Sequence, residues 1–147
     1  MAEPKKILLV EDDPHDVELT LIALEKIGLA GGLIVTRDGA EALDYLFRRE
    51  AYAARKDGMP AAVLLDIKLP KVDGIEVLRI IKSDAALKML PVVMLTSSRE
   101  DRDLEACYKE GANAFVVKPV GFAEFEEAIS KIWDFWSKLN EPPPRPS

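Results

Sequence analysis

Asp66 is the residue whose position most clearly suggests chemistry. It follows the continuous apolar run 62–65 (AVLL), which is too short for an ordinary helix and is typical of a strand buried on both faces of a parallel sheet. Pro70 cannot extend a sheet ladder and Asp73-Gly74 favours a turn, so a loop is predicted beyond the strand. We therefore expect the Asp66 carboxylate at the edge where open α/β sheets bind ligands.

Polar side chains also follow three other apolar runs. These residues are Glu11, Asp12, Asp13, Thr96 and Lys118. In a parallel sheet the strand ends share one edge, and the acids after the first run converge on Asp66 if the first and third strands are neighbours. Two carboxylates about 5 Å apart repel by roughly 3 kcal/mol at an effective dielectric constant of about 20, so the cluster is expected to recruit a cation. Oxygen ligands alone favour a hard ion such as Mg²⁺.

Together these groups have the types needed for phosphoryl chemistry. A carboxylate can act as the nucleophile, acids can hold a metal, and a hydroxyl and an ammonium can bind phosphoryl oxygens. Taken singly, each residue is more simply explained as a solvated loop residue. The delivery of carboxylates, a hydroxyl and an ammonium to one edge by four of the five strand ends favours the chemical interpretation.

Alternating strand and helix patterns must position these residues. Strands are predicted at 6–10, 33–36, 62–65, 91–95 and 114–117, and helices at 14–27, 39–47, up to about 83, between a Ser97–Glu100 capping box and Gly111, and at 122–139. This alternation predicts a doubly wound α/β fold: a five-stranded parallel sheet in the flavodoxin-like order 2-1-3-4-5, with helices on both faces. Residues 48–60 exceed the usual connection length, so an insertion is predicted there.

The composition suits one globular domain, which we assign to residues 1–139, followed by a disordered Pro-rich tail at 140–147 and no output domain. The formal charge of −6 argues against direct binding to nucleic acid. No apolar run approaches the roughly 18 residues that span a bilayer, and no signal peptide is evident, so a cytoplasmic protein without membrane association is expected. The single cysteine, Cys107, excludes an internal disulfide and is expected to pack in the core.

On these residues the sequence resembles a bacterial response-regulator receiver domain, over residues 5–139. The resemblance implies that Asp66 is the phosphoacceptor. It also implies that Glu11 and Asp12 hold Mg²⁺, with Asp12 as the direct ligand, and that the backbone carbonyl of Lys68 adds a further ligand. A receiver would catalyse only its own phosphorylation and dephosphorylation, and would not act as an enzyme on free substrates.

The same resemblance assigns the remaining strand-end residues. Thr96 would bind a phosphoryl oxygen, Lys118 would pair with the phosphoryl group, and Phe115 matches the switch aromatic. The bond between Lys118 and Pro119 would be cis, although only about 5 to 6% of X-Pro bonds in folded proteins are. Asp13 is more simply a helix N-cap than a ligand, and the only histidine, His15, is more simply a surface residue than a phosphate carrier.

A narrower resemblance concerns particular receivers. The insertion near Ala51-Tyr52, the LPKVDG and LTSS segments and the Trp133 to Trp136 ending resemble stand-alone receivers partnered with phytochrome-type histidine kinases. Such receivers take phosphate from a kinase phosphohistidine.

The last predicted helix is expected to contribute to a homodimer through the fourth helix, fifth strand and fifth helix. Its apolar residues cover an arc of roughly 160°, which is wider than the stripe of about 100° that one sheet can bury. Aromatic surface is therefore left over, and exposed aromatic patches are typical of association sites. The residues on this arc are Phe122, Phe125, Ala128, Ile129, Ile132, Trp133, Phe135, Trp136 and Leu139.

Three other functions fit the pattern less well. A haloacid-dehalogenase-like phosphatase needs a second Asp two residues after the nucleophile, where this chain has Lys68. A nucleotide-binding Rossmann module needs a glycine-rich turn after the first strand, where this chain has EDDPHD. A pseudo-receiver that acts only by binding partners would not need the complete set of reactive side chains that is present here.

Overall fold

A computed structural model describes residues 5–144. The strands are β1 Ile7–Val10, β2 Leu33–Thr36, β3 Ala62–Leu65, β4 Val92–Thr96 and β5 Ala114–Val117. The helices are α1 Pro14–Lys26, α2 Gly39–Phe47, α3 Gly74–Ser83, α4 Asp101–Lys109 and α5 Phe122–Asp134, which continues as a π-helical turn over Phe135–Leu139. Two short 3₁₀ turns lie at Ala30–Gly32 and Glu50–Tyr52.

The five strands form one parallel sheet in the order β2-β1-β3-β4-β5. This is the predicted flavodoxin-like order, and the predicted fold class is confirmed. Strands β1, β3 and β4 are buried along their whole length, as expected for strands covered by helices on both faces. In register, Val10 of β1 pairs with Thr36 of β2 and with Leu65 of β3, so the neighbouring strands end level with one another.

Alternate residues of each strand face two separate halves of the core. One half packs against α2, α3 and α4 and includes Leu46, Leu78 and Ile81, whereas the other packs against α1 and α5 and includes Leu24 and Trp133. The two halves sandwich the sheet. The helix layers therefore cover its two faces and leave its carboxyl edge free.

Cys107 lies fully buried in the half of the core that packs against α4. Burial raises the pKa of its thiol to about 11, with smaller contributions from nearby carboxylates, so the thiol stays protonated at neutral pH. The predicted core position is confirmed. Leu104 and Tyr108, which share its helical stripe, are only partly covered.

The start of α4 differs from the predicted capping box. The helix begins at Asp101 rather than just after Ser97, and Glu100 occupies the N-cap position without a side-chain cap bond. The Ser98 hydroxyl holds the residues at the helix start instead. Its Oγ accepts a hydrogen bond from the Glu100 N–H at 3.3 Å and donates one to Asp103 Oδ2 at 2.6 Å. The Ser97–Glu100 box is wrong because the loop after β4 is longer than the box assumes.

The predicted insertion is an ordered loop built around Arg55, whose side chain is only 7% exposed. The guanidinium lies 4.0 Å from the ring centroid of Tyr45 and donates to Asp57 Oδ1 at 3.0 Å, and to backbone oxygens of Tyr45, Asp57 and Gly58. The Tyr52 hydroxyl fastens the loop to α2 by donating to Glu41 Oε2 at 2.6 Å. These bonds explain how so polar a connection is held in one conformation.

Two further expectations concern the ends of the chain and membranes. Residues 140–144 have no regular secondary structure, and the remainder of the predicted tail, 145–147, lies outside the described residues. Within residues 5–144, none of the helices combines the length and the apolar character that crossing a bilayer requires.

Candidate functional site

The candidate site lies one residue beyond the ends of three strands. The backbone N–H of Glu11 donates to Thr36 O at 3.0 Å, that of Asp66 to Val10 O at 3.2 Å, and that of Lys118 to Thr96 O at 2.8 Å. Each of these residues thus continues the hydrogen-bond ladder of the sheet by one step. Ladder bonds fix their backbones, so the three side chains emerge together at the carboxyl edge.

Glu11, Asp12 and Asp66 form a carboxylate cluster at this edge. Each contributes an oxygen that lies within 4.8 Å of the other two. Glu11 is buried, Asp66 is half-buried and Asp12 is exposed, so the cluster is open to solvent on the Asp12 side. An oxygen-only donor set with one open side fits a hard divalent cation that keeps water or substrate ligands.

Lys118 supplies the positive charge of the site. Its buried ammonium donates to three carboxylates: to Glu11 Oε1, to Asp16 Oδ2 at 2.8 Å and to Asp66 Oδ2 at 3.1 Å. Burial alone would lower the pKa of this lysine, but its hydrogen bonds with Asp16 and Glu11 and the charge of Asp66 raise it above the ordinary value. The lysine therefore stays protonated, and one cation is shared by three acids.

The shortage of positive charge is reflected in the pKa of Glu11. Burial raises the pKa of its carboxyl to about 7, an effect that the hydrogen bond and charge of Lys118 offset only in part. The neighbouring charge of Asp66 raises it further. The carboxylate form of Glu11 is thus costly without an additional cation, which is the electrostatic condition for a metal site.

The loop after Asp66 is held by the N-termini of two helices. Asp66 Oδ1 accepts from the Ile67 N–H at 2.7 Å. At Gly74, the first residue of α3, a Cβ atom would lie 2.0 Å from the Asp66 carbonyl oxygen. At Gly39, the first residue of α2, a Cβ atom would lie 2.0 Å from the Val72 carbonyl oxygen. Only glycine allows these close approaches, which clamp the loop that carries Asp66.

The family model for the response regulator receiver domain matches residues 7–130. The chain belongs to the response-regulator receiver family. Among curated relatives, the probable methanogenesis regulatory protein FilR2 of Methanothrix harundinacea (strain 6Ac) is 40% identical over 141 residues, which cover 96% of this chain and 89% of that protein.

Solved receivers have the same architecture. The bacteriophytochrome response regulator AtBRR is 58% identical, with 95% of this chain and 100% of that chain covered and a TM-score of 0.75. The Mn²⁺-bound form of response regulator Rcp1 is 35% identical, with 96% and 100% covered and a TM-score of 0.87. The predicted resemblance to stand-alone receivers of phytochrome systems is confirmed by these relatives.

The other predicted receiver residues lie near the cluster or apart from it. Thr96 is buried at the end of β4, and its Oγ1 accepts from the Ser98 N–H at 3.3 Å. Phe115 is half-buried in the middle of β5, where it pairs with Met94 and packs against the core half that contains α4. Lys68 is exposed, two residues beyond Asp66.

Asp13 and His15 fit the expectations for them. The Asp13 side chain caps α1 by accepting from the His15 N–H at 2.9 Å, and His15 is exposed. The predicted cis bond between Lys118 and Pro119 is wrong, since no peptide bond within residues 5–144 is cis. Lys118 reaches its three carboxylates with that bond trans.

Two features of the receiver site are absent from the sequence-based predictions. The first is Asp16, which binds Lys118. The sequence indicates its role only in that Asp16 lies about one helical turn after the acidic run Glu11 to Asp13. The paired glycines of the clamp have a clearer signal, because each follows an aspartate that caps its helix, in Asp38-Gly39 and Asp73-Gly74. Read together, these two Asp-Gly pairs would have indicated helix starts in close contact with a neighbouring loop.

Proposed function

We propose that this chain is a stand-alone, cytoplasmic response regulator that accepts a phosphoryl group from a sensor histidine kinase onto Asp66. The observation that carries the proposal is the meeting of the Asp66 carboxylate with two further acids and the Lys118 ammonium at the carboxyl edge of the sheet. Charged groups in this arrangement suit a reaction in which negative charge accumulates on transferring phosphoryl oxygens.

Asp66 acts as the nucleophile. One of its carboxylate oxygens attacks phosphorus, the P–N bond to the kinase imidazole breaks, and its electron pair remains on the imidazole nitrogen. Lys118 Nζ, already 3.1 Å from Asp66 Oδ2, pairs with the phosphoryl oxygens as charge builds up on them. The ladder bond at the Asp66 N–H and the glycine clamp hold the nucleophile in place during the attack.

Mg²⁺ is the proposed cofactor, held by Glu11, Asp12 and Asp66 with the backbone carbonyl of Lys68 as a further ligand. The oxygen-only donor set supports it, and the Mn²⁺-bound Rcp1 structure supports a divalent cation in a related receiver. When bound, the cation supplies the positive charge that offsets repulsion between the acids and the incoming phosphoryl group.

Thr96 and Phe115 form the proposed switch. Thr96 Oγ1 accepts a long hydrogen bond from the Ser98 N–H, at 3.3 Å, and its O–H can donate to a phosphoryl oxygen. Movement of Thr96 would open space beside β5 into which the half-buried Phe115 ring can turn. The signal is thereby carried from Asp66 to the surface of α4 and β5.

The proposed phosphate donor is a phytochrome-type histidine kinase. Its support is the 58% identity with AtBRR, a bacteriophytochrome response regulator, over nearly the whole chain. Homodimerisation through α4, β5 and α5 is the proposed output. Phe122 and Phe135 of the last helical segment are 47% and 46% exposed, and Tyr108 of α4 is 51% exposed. This uncovered aromatic surface supports association.

Light scattering with and without beryllium trifluoride, a phosphoryl mimic, tests the homodimer. A particle of twice the chain mass in at least one of the two states is expected. A monomer in both states would reject this output while leaving the phosphoacceptor proposal unaffected.

Intact-mass measurement after incubation with acetyl phosphate and Mg²⁺ tests the phosphoacceptor. Wild type is expected to gain one phosphoryl group, and Asp66→Asn none, because the amide is not a nucleophile. Asp57→Asn, which removes a carboxylate from the insertion loop, is the matched control and is expected to be phosphorylated like wild type. A phosphoryl group on Asp66→Asn, or sustained turnover of phosphate esters by wild type, would overturn the proposal.

A further inference from the structure

Asp16 lies outside the three-carboxylate cluster, yet its bond to Lys118, at 2.8 Å, is shorter than the bond between Lys118 and Asp66, at 3.1 Å. We propose that Asp16 is a positioning residue that shares Lys118 with Asp66 in the unphosphorylated state and releases the lysine when Asp66 carries a phosphoryl group. The inference deepens the proposed function and rests on it.

The position of Asp16 suits a fixed anchor. It lies in the first turn of α1, a helix that packs along α5 and is tied to it by the bond from Lys26 Nζ to Glu126 Oε2 at 2.9 Å. The Thr20 hydroxyl donates to the Asp16 carbonyl oxygen at 2.8 Å. Asp16 therefore holds Lys118 from a helix, whereas Asp66 holds it from a loop at the end of the sheet.

Exposure determines which partner Lys118 releases. The side chain of Asp16 is 21% exposed, compared with 12% for Asp66 and 3% for Glu11. A carboxylate that loses its cation must be stabilised by water instead, and this costs least where water already reaches it. The free-energy cost of breaking a bond to Lys118 is thus lowest for Asp16, so Asp16 is the partner released when Asp66 carries phosphoryl oxygens.

Removal of the Asp16 charge should have two opposite effects. In Asp16→Asn, Lys118 is shared by two carboxylates instead of three, so it neutralises Glu11 and Asp66 more fully and competes more strongly with Mg²⁺ for their oxygens. The same lysine is no longer held by Asp16, so an anion attached to Asp66 gains a stronger partner. Mg²⁺ binding should weaken while phosphoryl binding tightens, each by about three- to tenfold.

The test compares wild type with Asp16→Asn, Asp16→Glu and Glu18→Gln. Glu18 is an exposed acid of the same helix, so Glu18→Gln is the control for a change of one charge. Titration calorimetry measures Mg²⁺ affinity and then the affinity for beryllium trifluoride at saturating Mg²⁺. Asp16→Asn is expected to shift the two affinities in opposite directions, with Asp16→Glu restoring both toward wild type and Glu18→Gln leaving both unchanged.

Nitrogen-15 NMR of the lysine side chains in metal-free protein reads the contact directly. The Lys118 ammonium should give a slowly exchanging signal in wild type and Glu18→Gln, and a shifted or broadened one in Asp16→Asn. An unchanged Lys118 signal would overturn the proposal, as would a parallel fall in both affinities. If wild type bound neither probe while Asp16→Asn still altered the Lys118 signal, the proposed function would fail and the sharing of Lys118 would stand.

Discussion

Two parts of this receiver place a buried cation beside acidic groups, with opposite results. At the carboxyl edge, Lys118 serves the three carboxylates of Glu11, Asp16 and Asp66. In the insertion loop, Arg55 bonds one carboxylate, that of Asp57, and otherwise neutral backbone oxygens. The first group has more carboxylates than cations, whereas Asp57 of the second is paired with Arg55 and has Lys6 3.9 Å away.

The difference is visible in the acids. Burial raises the pKa of Glu11 to about 7 despite the nearby lysine. Burial acts in the same direction on Asp57, but the hydrogen bond and charge of Arg55 outweigh it, and the pKa of that carboxyl is lowered. A balanced ion pair stabilises a loop, whereas an unbalanced cluster is ready to bind a cation and react. Charge balance therefore separates the insertion-loop network from the proposed reactive cluster.

Removal of the insertion cation should produce the largest effect. Arg55→Met is expected to lower the free energy of unfolding by about 3 kcal/mol, because it removes the nearest cation from Asp57, whose other cation, Lys6, lies 3.9 Å away, and removes the contact over the Tyr45 ring. Urea denaturation of this variant and of Lys56→Met, which alters an exposed neighbour, provides the measurement. A loss below about 1 kcal/mol would show that the Arg55 network is not structural.

The stability gained on Mg²⁺ binding should also distinguish the carboxylate cluster from the insertion loop, with the second-largest effect. At a concentration one hundred times its dissociation constant, a ligand that binds only the folded state stabilises it by about 2.7 kcal/mol. Wild type and Asp57→Asn are both expected to gain this stability in Mg²⁺. Asp12→Asn, which lacks a carboxylate of the cluster, should gain much less. Equal gains in wild type and Asp12→Asn, from urea denaturation with and without Mg²⁺, would contradict the metal assignment.

The same substitution at the two sites should then change metal-free stability in opposite directions. Asp66→Asn relieves repulsion in the cluster and is expected to raise the free energy of unfolding by about 1 kcal/mol. Asp57→Asn weakens a charge-assisted bond to Arg55 and is expected to lower it by about 1 kcal/mol. Denaturation in the presence of a chelator compares them, and a change of the same sign in both variants would refute the proposed difference in charge balance.

The pH dependence of metal-free stability should also distinguish the carboxylate cluster from the insertion loop. The folded pKa of Glu11, beside Lys118 and Asp66, is raised from 4.5 to about 7, so folded protein takes up the proton first and stability rises as pH falls through that interval. The folded pKa of Asp57 is lowered below 3.8, so its contribution is lost as pH falls below that value. Melting temperatures measured as a function of pH provide the test. Glu11→Gln should lack the rise in stability between pH 7 and 4.5, and Asp57→Asn should lack the loss of stability below pH 3.8.

The sheet and the residues at its edge could be predicted from sequence because both depend on local signals. Apolar runs predict the buried strands. For β1, β3 and β5, the residue that follows the run continues the hydrogen bonding of the sheet by one step and therefore lies at its carboxyl edge. Asp66 and Lys118 were located in this way. Three strands match the predicted ranges, β1 begins one residue later than predicted, and β4 is shifted by one residue at both ends.

The features that were missed depend on contacts distant in sequence or on fine loop geometry. Asp16 bonds to Lys118 across 102 positions, and helical periodicity does not show which acid of a helix lies beside a lysine of another element. Arg55 bonds chiefly backbone oxygens, which have no sequence signature. The cis bond before Pro119 rested on resemblance alone, and the trans bond leaves Lys118 able to reach its partners.

The buried thiol of Cys107 makes this receiver convenient for fluorescence work. With a pKa of about 11, only about one thiol in ten thousand is ionised at pH 7, and burial also excludes the reagent. The native chain should therefore resist maleimide dyes without any substitution of its own cysteine. A cysteine introduced at the fully exposed Val120, two residues after Lys118, would carry a single dye beside the candidate site. The proposed phosphorylation of Asp66 could then be followed one molecule at a time.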